Sequence, residues 1–231
     1  MRTQRRFPAL AALLAYALLS TANAQTPPAS QSQHAEQQSS QTRGSRPDTH
    51  AAEAGRGWQG RPLEELRRER EREPASPESN YNLGAALYGA GLYEEAAAFL
   101  SRAAGLDANF AAPRRALGLA YFKLARFNDA AEAFRQLTRL QPRLAEGHNN
   151  LGVALVKSGK HKEAVAALRE AVTLEPSYAE ARFNLGAALV ALSEKDAAVE
   201  QHDALLALDA RLAAKLFRLI HKDKMVDAGS K

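Results

Sequence analysis

The sequence predicts an all-α solenoid of stacked helix pairs, on three observations. Gly84, Gly118, Gly152 and Gly186 recur every 34 residues, each preceded by a leucine: Leu83, Leu117, Leu151 and Leu185. Ala96, Ala130, Ala164 and Ala198 follow each glycine by twelve residues, and Leu106, Leu140, Leu174 and Leu208 keep the same phase. Four independent columns at one period of this length are the signature of a repeat architecture. The composition agrees: Ala and Leu dominate, and only 6% of residues are aromatic. The absence of cysteine excludes a disulfide scaffold, Cys-ligated zinc, a c-type haem attachment, a thiol nucleophile and a bacterial lipid anchor.

The N-terminus reads as a secretory signal over residues 1–24. Arg2, Arg5 and Arg6 form a positive leader, and Ala9 to Leu19 form an apolar stretch too short to span a bilayer comfortably. Ala22-Asn23-Ala24 is a small-x-small site that predicts cleavage before Gln25. An uncleaved anchor is the other reading. Residues 25–57 are rich in Gln, Ser, Pro and Gly, with almost no large apolar side chain. Such a segment cannot bury enough surface to offset its ordering entropy, so a disordered tether is expected. His34 and His50 lie in it without a second ligand at helical or turn spacing.

Within residues 58–76, Arg61 to Glu73 predicts a charged helix, with Pro62 at its start and Pro74 just past its end. Its charges alternate in sign, and only Leu63 and Leu66 offer an apolar face. It falls in phase with a degenerate second helix of a preceding unit, which makes it a candidate N-terminal cap.

The body resembles the tetratricopeptide repeat (TPR) family, whose 34-residue pattern is W-x2-L-G-x2-Y, then A-x3-F, then P. The units are 77–110, 111–144, 145–178 and 179–212. Position 7 is Leu, position 8 Gly and position 20 Ala in all four. Position 24 is Leu100, Phe134, Leu168 and His202, and position 32 is Ala108, Pro142, Pro176 and Ala210. Position 4, often Trp in the family, is here Asn80, Arg114, His148 and Arg182. The fourth unit is degenerate, with Lys195 at position 17 and His202 in the aromatic slot. Gly at 8 and Ala at 20 remove side chains where the two helices of a unit cross. Leu at 7 and the apolar residue at 24 fill the space beside that crossing. The resemblance implies a right-handed superhelix. Residues 213–222 continue into a capping helix whose Leu212, Leu216, Leu219 and Ile220 share a face, with Lys215, Arg218 and Lys222 opposite; residues 223–231 form a tail.

At about 100° per residue, positions 2, 5, 6, 9, 12 and 13 of each first helix group away from the core. In TPR proteins that stripe lines the concave groove. Position 6 carries Asn82, Asn150 and Asn184, a row resembling the asparagine ladders that clamp an extended peptide backbone in some TPR grooves. The same residues could instead hydrogen-bond an adjacent helix and brace the stack. The stripe also carries Tyr81, Tyr88, Arg115, Phe122, Lys123, Asn149, Lys157 and Phe183. Val156 and Val190 read as packing between first helices, and Glu78, Glu146 and Glu180 as partners of the helix dipole. The Lys-5/Asn-9 clamp for chaperone C-termini is missing: those positions hold Tyr81, Arg115, Asn149 and Phe183, then Ala85, Leu119, Val153 and Ala187.

The chain carries a formal charge of +5, all of it at the two ends, and the body is neutral. A nucleic-acid module needs a basic stripe on its folded face, and none is present. Gly152 to Ser158 imitates a phosphate loop without the Gly before Lys157, inside a predicted helix. No nucleophile elbow or metalloprotease motif occurs. His161 sits between Lys160 and Lys162, which suits neither a metal nor a base. The sequence therefore predicts no enzyme, no cofactor and no metal, no nucleic-acid partner and no transmembrane span in the mature chain. It predicts an exported, periplasmic or secreted scaffold that binds an extended peptide or a partner helix. The alternatives are a self-associating envelope subunit, a cell-wall or glycan binder using Tyr81, Tyr88 and Phe122, and attachment to anionic lipid through the basic segment from Lys215 to Lys224.

Overall fold

Position 4 is the column that fits the family least, and its four polar residues do one job. Each reaches back to backbone carbonyls in or beside the loop that precedes its own helix. Asn80 Nδ2 donates to Ser76 O (2.7 Å) and Pro74 O (3.1 Å). Arg114 donates to Phe110 O (2.9 Å) and Ala104 O (3.1 Å). His148 Nε2 lies 2.9 Å from Pro142 O, and Arg182 Nε donates to Pro176 O at 2.7 Å. A donor at position 4 thus ties each first helix to the loop before it, where the family usually places an aromatic ring.

The structure, a computed structural model, describes residues 58–222. The signal-like segment, the tether and the tail at 223–231 lie outside the described residues. Those residues form ten α-helices and no strand. Helix α1 is Leu63–Arg72. The first helices of the four repeats are α2 (Pro77–Gly89), α4 (Ala111–Lys123), α6 (Ala145–Lys157) and α8 (Ala179–Ala191). The second helices are α3 (Tyr93–Leu106), α5 (Phe127–Leu140), α7 (His161–Leu174) and α9 (Lys195–Leu208), and α10 is Ala210–Ile220. Each helix packs on the next in an all-α TPR superhelix. None of the described helices is long and apolar enough to cross a membrane.

The crossing inside each repeat is too tight for a side chain at position 8. A β-carbon placed on Gly84 would lie 2.8 Å from Leu100 Cγ, and one on Gly118 would lie 2.6 Å from Phe134 Cε1. Gly152 faces Leu168 in the same way. The fourth repeat breaks the rule: Gly186 faces Leu216 of α10, not His202. His202 stays half-buried, with Nδ1 2.9 Å from Asp203 Oδ1. The terminal helix thus supplies the apolar group that the degenerate fourth repeat lacks. Its buried face is Leu212, Ala213, Leu216 and Ile220. Leu219 does not share that face and is 39% exposed. The helical angle explains this correction: residues 212, 213, 216 and 220 cluster within about 100°, and residue 219 falls on their flank.

The turn inside each repeat is also shared. The position-16 amide donates to the position-11 carbonyl in all four: Leu92 to Leu87, Arg126 to Tyr121, Lys160 to Leu155 and Glu194 to Leu189, at 2.9–3.0 Å. Closing that turn requires a left-handed residue at position 15. Glycine supplies it at Gly91 and Gly159, whereas Ala125 (φ 56) and Ser193 (φ 64) adopt it with a side chain.

At the other end, Leu66 of α1 is buried against α2, and Trp58 packs beside Gly89. Ser76 caps α2 by accepting from Ser79 N at 3.1 Å, with Pro77 at the first helical position. Asp209 caps α10 through Arg211 N and Leu212 N at 2.8 and 2.9 Å.

Candidate binding groove

The first helices lie side by side because α4 packs on α2 and α8 on α6. Residues of the predicted binding stripe therefore meet across the junctions between repeats. At the junction of the third and fourth repeats this makes a three-residue polar chain centred on Asn149. Asn184 Nδ2 donates to Asn149 Oδ1 at 2.9 Å, and Asn149 Nδ2 donates to Tyr178 Oη at 3.4 Å. Asn149 is buried. Two members of the predicted binding stripe thus brace the stack. Tyr178, the last residue of its unit, is absent from the predicted stripe, since nothing local marks it as the partner of a residue 29 positions earlier.

The other two asparagines differ. Among the described residues, neither Asn82 nor Asn150 makes a side-chain hydrogen bond. Asn82 is only 8% exposed, and its Oδ1 has no partner. A buried acceptor left unmet costs roughly 1–3 kcal/mol. Asn150 is half-buried.

The aromatic members are partly engaged. Tyr81 is 6% exposed and meets the Phe110 ring edge-on, with centroids 5.3 Å apart. It is a wall of the groove and no open stacking platform. Tyr88 pairs with Tyr93 at 5.4 Å, and Phe122 with Phe127 at 5.3 Å, each across the turn inside a repeat. Phe122, Val156, Phe183 and Val190 are half-buried against the core. Lys123 and Lys157 are exposed at the C-terminal ends of α4 and α6. Arg115 stands half-exposed, its Nη1 3.4 Å from Glu146 Oε2. Beside it a pocket of about 200 Å³ opens between Tyr81, Arg115, Gln141 and Leu144.

Two tyrosines of this region hold their protons more tightly than usual. Burial pushes the Tyr81 phenol up, against the opposing pull of Arg115. Burial also raises Tyr178, helped by the carboxylates of Glu146, Glu180 and Glu175. Both present neutral phenols at physiological pH. Among the described residues, no group of three or more His, Asp or Glu side chains could hold a metal ion. The stripe offers hydrogen-bond donors and acceptors, half-covered apolar faces and two lysines.

Paired helices stacked through glycine and alanine crossings, with the first helices lining one face, define a class of repeat scaffold built for protein recognition. The chain belongs to the tetratricopeptide repeat family: the family model matches residues 63–110, 115–174 and 149–213. Solved structures agree on the fold. MamA is 22% identical with a TM-score of 0.61, over 66% of this chain and 89% of its own. YrrB, described as a TPR protein with an unusual peptide-binding site, is 24% identical with a TM-score of 0.62, over 74% and 87%. A thermophilic TPR protein of Thermus thermophilus is 22% identical with a TM-score of 0.52, over 68% and 88%. At these identities the likeness is one of fold. No curated protein matches the chain. TPR proteins are protein-interaction scaffolds, generally without enzymatic activity.

Proposed function

We propose that this chain is a scaffold of the cell envelope that holds an extended peptide or a partner helix in the groove lined by α2, α4, α6 and α8. The observation that carries the reading is that, among the described residues, Asn82 and Asn150 of that stripe make no side-chain hydrogen bond to the stack, whereas Asn149 and Asn184 bond each other. Asn82 and Asn150 lie 68 residues apart in sequence, on alternate repeats. The half-buried Phe122, Val156, Phe183 and Val190 supply apolar contact along the same line. The peptide-binding site of YrrB is a precedent on a similar fold. The signal-like N-terminus supports the envelope.

The test is crosslinking capture from native envelope fractions, with the full chain beside Asn82→Ala/Asn150→Ala, after circular dichroism shows the variant folded. Loss of the captured partner supports the groove. Retention overturns it. N-terminal sequencing of the envelope form should begin at Gln25; an intact N-terminus contradicts cleavage.

A second reading, self-association, has one observation in its favour. Leu206 of α9 is 58% exposed and Phe217 of α10 is 47% exposed at the C-terminal end. Concentration-dependent mass by light scattering, lost in Phe217→Ser, would support it.

A further inference from the structure

Position 25 of the second helices forms a column of cross-repeat arginines with one internal gap. It is Arg67 in α1, Ser101 in α3, Arg135 in α5 and Arg169 in α7, each 34 residues apart, and Asp203 in α9, after which no further repeat follows among the described residues. Arg67 Nη2 reaches Glu95 Oε2 of the next helix pair at 3.0 Å. Arg135 Nη2 reaches Glu163 Oε2 at 3.4 Å, and Arg169 Nη2 reaches Glu194 Oε2 at 4.0 Å. Glu95 and Glu163 share one column, and its member facing Ser101 is Asp129. A serine side chain is too short to make the same crossing.

The gap is a real opening. A cleft of about 360 Å³ lies between α3 and α5, over Leu117 and Tyr121 of α4. Its α3 wall is unusually bare: Ser101, Ala104 and Gly105. A β-carbon added to Gly105 would meet nothing within 4 Å. The opposite wall carries Asp129 and Glu132. Arg126 Nε holds one oxygen of Asp129, Oδ2, at 2.7 Å. Glu132 accepts from Arg135 at 2.7 Å and Gln136 at 3.3 Å, and its carboxyl is held below the usual range by those bonds, Arg135 first. Each carboxylate keeps lone pairs free for a further donor.

We propose that this cleft is a docking site for an arginine side chain presented by a partner protein, seated where the neighbouring seams place an arginine of their own. The guanidinium meets Asp129 and Glu132 across the cleft, in the fork geometry that suits carboxylates. The methylene stem lies on Leu117 and Ala133. The site faces the second helices and does not depend on the groove of the first helices.

The test is an amide NMR titration of the full chain with N-acetylarginine amide at millimolar concentrations and constant ionic strength. N-acetylcitrulline amide and N-acetyllysine amide are the controls, and the variants are Ser101→Arg and Asp129→Asn. The arginine amide should give saturating shifts at Ser101, Gly105 and Ala133, at least about tenfold tighter than the citrulline amide. Ser101→Arg should abolish them by filling the cleft and should raise the melting temperature. Asp129→Asn should weaken them without unfolding the chain. Absence of saturable shifts, equal binding of the citrulline or lysine amide, or undiminished binding by Ser101→Arg would overturn the assignment.

Discussion

The junction of the third and fourth repeats and the junction of the first and second use the same columns and finish them differently. At the third-to-fourth junction, Asn149 accepts from Asn184 and donates to Tyr178, and Arg169 reaches across to Glu194. At the first-to-second junction, Asn82 lies buried with Oδ1 unmet, Ser101 stands where the other seams carry an arginine, and a cleft of about 360 Å³ stays open. The shared columns make the stack stable, since each helix pair buries its apolar faces only against its neighbours. Polar side chains that the stack leaves unbonded, Asn82 and Asn150, are those proposed to meet a partner. In a repeat protein each unit is a control for the others, so a departure from the column is informative where a single sequence would be silent.

The most severe way to break that comparison is to attack the shared core. Phe134→Ala should cost about 3–5 kcal/mol and Leu216→Ala about 2–5 kcal/mol in urea unfolding. His202→Ala should cost less than either, since Leu216 faces Gly186 in its place. An equal cost at His202 would return the fourth repeat to the common pattern. A smaller effect comes from the turns. Ala125→Gly and Ser193→Gly should each stabilise by about 1 kcal/mol, because a left-handed residue with a side chain carries a penalty of about 1–2 kcal/mol. Gly91→Ala should destabilise by a similar amount. Smaller again, Ser101→Arg should add the missing cross-repeat pair and stabilise by about 0.2–1 kcal/mol, as exposed ion pairs do; the melting temperature reads it. The smallest effect is alkaline. Tyr81 and Tyr178 have folded-state pKa values raised above the usual 10.0. Their neutral forms are favoured in the folded state, so the stability they add is present below about pH 10 and lost as pH rises through the raised values. Phenolate absorbance against pH should show two late-titrating tyrosines, absent from Tyr81→Phe/Tyr178→Phe.

The family and the helix pairs were legible in the sequence because close packing leaves a periodic trace. Gly118 and Ala130 must be small, and Leu117 and Phe134, like Leu100 and Leu168 at the equivalent crossings, must be large and apolar. The polar features left no such trace. Asn80, Arg114, His148 and Arg182 share no chemistry except a donor, so a column defined by residue type looked broken where a column defined by hydrogen bonding is intact. Asn149 and Asn184 lie 35 residues apart, and their contact depends on how repeats stack, which helical angles within one helix cannot give. Leu216 in place of His202 required a helix from outside the repeat. Position 15 could have been read from Gly91 and Gly159, yet Ala125 and Ser193 hid it.

The most direct measurement of the division between bracing and available asparagines is urea unfolding of three variants: Asn82→Ala, Asn149→Ala and Asn184→Ala. Asn149→Ala should cost about 1–3 kcal/mol, since it leaves Asn184 and Tyr178 without their partner. Asn184→Ala should cost less, and the two together should be clearly non-additive. Asn82→Ala should be neutral or slightly stabilising, because it deletes a buried acceptor that has no partner in the free chain. Equal losses at Asn82 and Asn149 would contradict the account and make every asparagine of the row a brace.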